Sequence, residues 1–128
     1  MKRTTRTWRF AGIAAAAAAA GATPAAAHHS FALFDAQKSM TLEGQVKEFQ
    51  WTNPHTWIQL IVVDAAGKEV EWSIEGSSAA TMARQGWSRG ALKPGDHAIV
   101  VIHPLKDGTR GGSLVSATVN GQTIGSHS

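Results

Sequence analysis

The stretch MTLEGQVKEFQ, residues 40–50, alternates between apolar and polar positions. Met40, Leu42, Gly44 and Val46 fall on one side, with Thr41, Glu43, Gln45 and Lys47 on the other. A period of two predicts a strand with one buried face. Gly44 inside it predicts a bulge or a sharp bend. WTNPH, residues 51–55, reads as a loop, because Asn-Pro interrupts regular structure. TWIQLIVVD, residues 56–64, predicts a second strand, apolar on both faces, with Trp57 out of phase with Ile58 and Leu60. AAGK then turns the chain, with Gly67 as its permissive residue. EVEWSIE, residues 69–75, alternates again. Val70, Trp72 and Ile74 point inward and Glu69, Glu71 and Glu75 point outward, which reads as a solvated face.

The next stretch, GSSAATMARQGW (76–87), loses the two-residue period. Ser77 or Ser78 can cap a helix start and Gly86 can end it, so one short helix of about two turns is expected. LKPGD (92–96) is a turn and HAIVVIH (97–103) a fourth strand. PLKDGTRGG (104–112) reads as a long glycine-rich loop and SLVSATV (113–119) as a fifth strand. The residues from 121 to 128 read as a polar tail that frays. The order is β-β-β-α-β-β. That is an all-β protein with one short helix and the element order of a five-stranded OB-like β-barrel. A β-sandwich of about seven strands needs more strands than this chain supplies.

The beginning of the chain follows other rules. Residues 1–27 have a basic start, MKRTTRTWR, an apolar core of about 13 residues, and small residues at Ala25 and Ala27, the pattern of a cleaved secretory signal peptide. The core is short of the roughly 20 residues needed to span a bilayer, so no stable membrane anchor is expected after cleavage. This reading changes the charge. The whole chain carries +3, but four of its 12 Lys and Arg lie within the first nine residues. Without them eight bases face nine acids. A basic footprint for nucleic acid is then missing, and no nucleic-acid partner is expected. With no cysteine in the chain, disulfides, thiol catalysis and thiolate metal sites are excluded. Residues 28–39 are left as an N-terminal arm, on which Phe31, Leu33 and Phe34 can anchor, and residues 40–120 as the barrel. The expected location is periplasmic or secreted.

HHSF after the alanines, EFQWTNPHTWI, VEWSIEG, LKPGD and HPLKDG together resemble a family of small exported bacterial proteins with no assigned function. The resemblance spans nearly all of residues 28–119. It implies an envelope location and supplies no activity. The strand order is also similar to that of periplasmic OB-fold stress proteins, a likeness of fold alone.

Two sets of residues can carry chemistry. If cleavage follows Ala27, His28 becomes the first residue, and its free amine and imidazole can chelate one metal. His29 adds an amide and a second imidazole. Such nitrogen donors suit copper above its neighbours in the affinity order. His103, at the end of the fourth strand, is the preferred third ligand, because antiparallel pairing with the first strand brings it near the arm. His55 ranks behind it. The spacing matches no zinc motif such as H-E-x-x-H.

The second set rims the face that OB barrels commonly use for ligands: Trp51, Asn53 and His55 in one loop, and Lys106, Asp107 and Arg110 in the other. Trp72 is expected in the core and Trp51 toward a ligand. No nucleophile-elbow pattern is present, and glutamates on an outer strand face lack the cleft that acid–base pairs require. The expectation is a binding module for an unidentified envelope ligand or protein, with a copper-binding protein as the alternative.

Overall fold

A computed structural model describes residues 32–125. The expected signal segment, together with His28, His29 and Phe31, lies outside the described residues. The described elements are β1 (Met40–Gln50), β2 (Trp57–Val63), β3 (Glu69–Glu75), α1 (Ala79–Arg84), β4 (His97–Pro104), β5 (Gly111–Val119) and β6 (Gln122–Gly125).

Strand β1 pairs on both sides. Its first half runs antiparallel to β4, from Met40 opposite Ile102 to Gln45 opposite His97. Its second half runs antiparallel to β2, from Gln45 opposite Ile61 to Gln50 opposite Trp57. The strand changes partner beside Gly44, where a Cβ would run into the Ile61 carbonyl. The expected bend is there, and the bulge follows it. Val46 faces Leu60 and Glu48 faces Gln59, so Lys47 is the extra residue. That residue resets the alternation: Leu42 and Val46 are buried, and Phe49 packs against the core instead of turning outward.

Strand β3 pairs with β2 along its length and then runs parallel to β5 through Ser73–Gly111, Ile74–Gly112 and Glu75–Ser113. Because β5 also pairs with β4, the ring closes in the order β1-β2-β3-β5-β4. This is the OB-fold barrel that the element order predicted. Its interior holds Leu42, Val46, Ile58, Leu60, Ile74, Val100 and Ile102, with Met82 and Trp87 closing one end. Trp72 packs against this core while half-buried.

Helix α1 begins at Ser78, whose hydroxyl accepts the Thr81 N–H at 3.2 Å. It ends where Gly86 adopts φ +90°. The Gly86 N–H reaches the Ala83 carbonyl and the Trp87 N–H the Met82 carbonyl, a paired cap that turns Trp87 back onto the core. Thr56 is the buried polar residue among those described. Its hydroxyl lies 3.0 Å from the Ser77 carbonyl and 2.8 Å from the Met82 sulfur, so it ties β2, the end of β3 and the helix together.

Two expectations are corrected. Residues 122–125 do not fray; they form β6 against β5, with Val119 opposite Gln122. Asn120 (φ 51°) and Gly121 (φ 75°) make the two-residue turn, and Asn-Gly is the sequence that such a hairpin prefers. Gly111 and Gly112 are likewise strand, not loop. A Cβ on Gly111 would meet Leu105 at 2.7 Å, and one on Gly112 would meet the His103 carbonyl at 2.6 Å. Bare backbone here lets β5 sit between β3 and β4.

The β1 bend is testable. Gly44→Ala should cost about 2 kcal/mol or more, because the added methyl group meets backbone and not a movable side chain. Gly90→Ala, with open space around it, should stay within about 0.5 kcal/mol. Urea unfolding of both variants checks the contrast, and equal midpoints would remove the constraint assigned to Gly44.

Candidate functional site

The β1–β2 loop is held from both ends. The Thr52 hydroxyl donates to the His55 carbonyl at 2.6 Å. The Asn53 side-chain oxygen accepts the Ala79 N–H at 3.0 Å, so the loop caps the start of α1. The Trp51 ring is half-buried and packs edge-on to Phe49, 5.7 Å between centroids at 69°. Phe49 in turn contacts Trp87 at 6.0 Å. Trp51 therefore leans on the core, and Trp57, outward on β2 and half-buried, shares this rim.

His55 is the best-defined functional group of this loop. Its Nδ1 lies 3.1 Å from Glu75 Oε1 and 3.3 Å from the Gly76 carbonyl. Both partners only accept, so Nδ1 carries a proton, and Nε2 of the neutral ring is left as an acceptor. The ring is 39% exposed, so the loop holds an oriented imidazole with one edge open to solvent. The alternation of β3 places Glu75 on a solvated face. Its role at the rim depends on the β2–β3 register, which puts it opposite Trp57, and no local spacing encodes that.

His103 is anchored in the same way. Its Nδ1 lies 2.7 Å from the Lys38 carbonyl, so here too Nε2 is the acceptor nitrogen. The arm reaches it as the strand pairing required. Phe34 is buried and bridges to Leu105, the Asp35 N–H bonds the Pro104 carbonyl, and the Lys106 N–H bonds the Leu33 carbonyl. Leu33 itself stays exposed. Among the described residues no group of three or more His, Cys, Asp and Glu can hold a metal ion. A metal site at His103 would depend on His28 and His29, which lie outside the described residues.

In the β4–β5 loop Lys106, Asp107 and Arg110 are all exposed. Asp107 accepts from the Thr109 hydroxyl at 2.7 Å and from its N–H at 2.9 Å. Those bonds hold the Asp107 carboxyl below its usual range. The two loops border β2 and β3 from different sides. The first sits at the Trp57–Glu75 end. The second leads into Gly111, which faces Ser73 in the second half of β3. No hydrogen bond or ion pair joins the two loops among the described residues.

A family model described as a family of unknown function, DUF6152, matches residues 16–115. The chain belongs to this family. No curated protein matches it in sequence. Among solved structures, the mitochondrial single-stranded DNA binding protein Rim1 from S. cerevisiae is similar with 10% sequence identity and a TM-score of 0.47, covering 70% of this chain and 97% of that chain. Membership of DUF6152 assigns no activity.

Across β1, β2 and β3 the outer face is acidic. Glu48, Glu69, Glu71 and Glu75 lie outward on these strands. Lys47 meets Glu71 at 2.8 Å, and that carboxylate raises the Lys47 ammonium pKa above its usual value. The other outward positions on β2 are Gln59, Ile61 and Val63, the last 61% exposed.

Two consequences can be measured. Asn53→Ala should cost about 1 kcal/mol of stability through the lost bond to the helix start, read by urea unfolding; no change would make that bond incidental. The Asp107 turn should depend on pH with a definite sign. Its folded pKa is lowered, so its contribution is complete above the ordinary carboxylate value and is lost as pH falls through the lowered one. The Thr109 amide resonance should therefore shift in acid while the barrel signals hold. In Asp107→Asn that shift should vanish, and its persistence would separate Thr109 from Asp107.

Proposed function

We propose that this DUF6152 member is an exported binding module that recognises a ligand or protein partner of the envelope with the rim built from Trp51, Asn53, His55 and Trp57, bordered by Lys106, Asp107 and Arg110. The observation that carries this reading is the anchoring of His55. Glu75 and the Gly76 carbonyl fix its ring while leaving it partly open. A preorganised polar group beside two tryptophans is how a binding surface limits the entropy cost of association. The acidic outer face supports a partner other than nucleic acid, since phosphates bind through Lys and Arg. Export rests on the pattern of residues 1–27. Among the described residues no helix is long and apolar enough to cross a membrane.

A second reading is favoured by one observation at His103. The Lys38 carbonyl sets its tautomer so that Nε2 is free to donate to a metal, the outer support that ligating histidines commonly have. In this reading the mature amine and imidazole of His28, with His29, bind copper and His103 completes the site.

The readings separate by experiment. His55→Ala and Trp51→Ala should each weaken capture of the envelope partner about tenfold, an effect of ordinary hot-spot size. Pull-down from envelope extract followed by titration of the captured component checks this, and unchanged capture by folded variants would move the function off this rim. For copper, the processed protein should bind copper(II) at neutral pH more tightly than a form with one additional N-terminal residue, and binding should weaken as pH falls and the nitrogens protonate. Equal affinity of the two forms would remove the terminal chelate.

A further inference from the structure

Strand β3 is paired along one whole side by β2, from Trp57–Glu75 to Val63–Glu69. On its other side β5 covers only Ser73 to Glu75. Among the described residues no strand lies against Glu69–Trp72 on that side. The direction of the backbone groups there follows from one bond. The Ser73 N–H leaves β2 to reach the Arg110 carbonyl at 3.2 Å. Strand residues alternate sides, so the peptide groups of Glu71 and Glu69 turn the same way, toward the uncovered edge. The adjacent β4–β5 loop does not take them. Its backbone bonds run from Leu105 to Gly111, Gly108 to Leu105, Gly111 to Thr109, and Lys106 to Leu33 on the arm.

An uncovered edge of this kind accepts an extended chain as one more strand. The side chains along it select the chain. Glu69 and Glu71 are exposed, Val70 is buried, and Trp72 is half-buried against the core. An added strand presents its alternate side chains to the same two faces. Those beside Glu69 and Glu71 are matched by basic residues, and those beside Val70 and Trp72 by apolar ones. The cations already nearby refine the pattern. Lys47 holds Glu71, Lys68 precedes Glu69, and Arg110 stands where β5 closes the edge. Glu69 has no ion pair among the described residues, and Glu48 and Glu75 keep the neighbouring face acidic. The incoming chain is therefore basic beside Glu69 and Glu71 and not basic at its end facing Arg110.

The geometry points to Glu69–Trp72 as an edge-strand docking site for an extended polypeptide segment in which basic and apolar residues alternate. This site is distinct from the Trp51–His55 loop, shares only Arg110 with the border of that rim, and stands or falls independently of it.

The test uses a blocked hexapeptide, Thr-Lys-Val-Lys-Val-Thr, with the full processed chain. Binding should perturb the amide resonances of residues 69–72, and the Glu71 amide, exchanging freely in the unbound protein, should become protected. A peptide with Glu in place of Lys should bind about tenfold more weakly, as expected for opposed charges on neighbouring strands. So should one N-methylated at alternate amides in the frame that faces β3, which loses the main-chain bonds. Glu69→Lys together with Glu71→Lys should give a similar loss, whereas Trp51→Ala and His55→Ala should leave peptide affinity unchanged. Three outcomes would overturn the site: a Glu71 amide already protected without peptide, equal binding of the N-methylated peptide, or perturbations centred away from residues 69–72. Because the modified peptides are tested on the unaltered protein, a misfolded variant does not decide the result.

Discussion

Strand β1 has to serve two neighbours, and the barrel depends on the bend that lets it do so. Residues 40–45 hold β4 and residues 45–50 hold β2. A straight strand can pair on both edges but does not curl a five-stranded sheet into a closed ring. The turn is made possible by Gly44, where the Ile61 carbonyl fills the place of a Cβ, and by Lys47, the extra residue that raises the local twist. Beyond the bulge Phe49 faces inward and meets Trp51 and Trp87. The aromatic support of the proposed rim is thus a consequence of the same bend.

A second constraint fixes the rim to the barrel. The Thr56 hydroxyl fits against Gly76 with no room for a side chain there, and Met82 of the helix closes the same point. Strand β2 begins, β3 ends and α1 packs at this one place. His55 sits next to it in the chain and Glu75 next to it in space. Their pairing is therefore held by buried contacts, not by the single His55–Glu75 hydrogen bond alone, whose net contribution is modest. The β4–β5 loop is different in kind. It is exposed and closes on itself through Asp107 and Thr109, so one border of the face is rigidly built in and the other is a self-contained turn.

Much of the fold was legible because alternation is a local property. Val70, Trp72 and Ile74 declared their inward face, and the Ser77–Ser78 pair and Gly86 marked the helix ends, with the structure choosing Ser78 as the cap. The element order alone gave the barrel, since few closed arrangements use five strands with a helix after the third. β6 was legible too, in the Asn-Gly pair at 120–121, but the polar composition of the tail outweighed that signal. Gly111 and Gly112 read as loop because glycine marks both turns and close backbone approach, and only the neighbours decide between them.

The sequence by itself determined the five barrel strands to within their ends, the helix caps, the lack of thiols and the loss of basic excess once residues 1–27 are set aside. Each of these follows from residue type and near-neighbour spacing. Tertiary structure decided the rest: that Glu75 anchors His55, that the Lys38 carbonyl orients His103, and that β5 leaves half of one edge of β3 uncovered. These depend on strand register and on the order of strands around the ring. Those are set by the packing of side chains far apart in the chain, which no local pattern encodes.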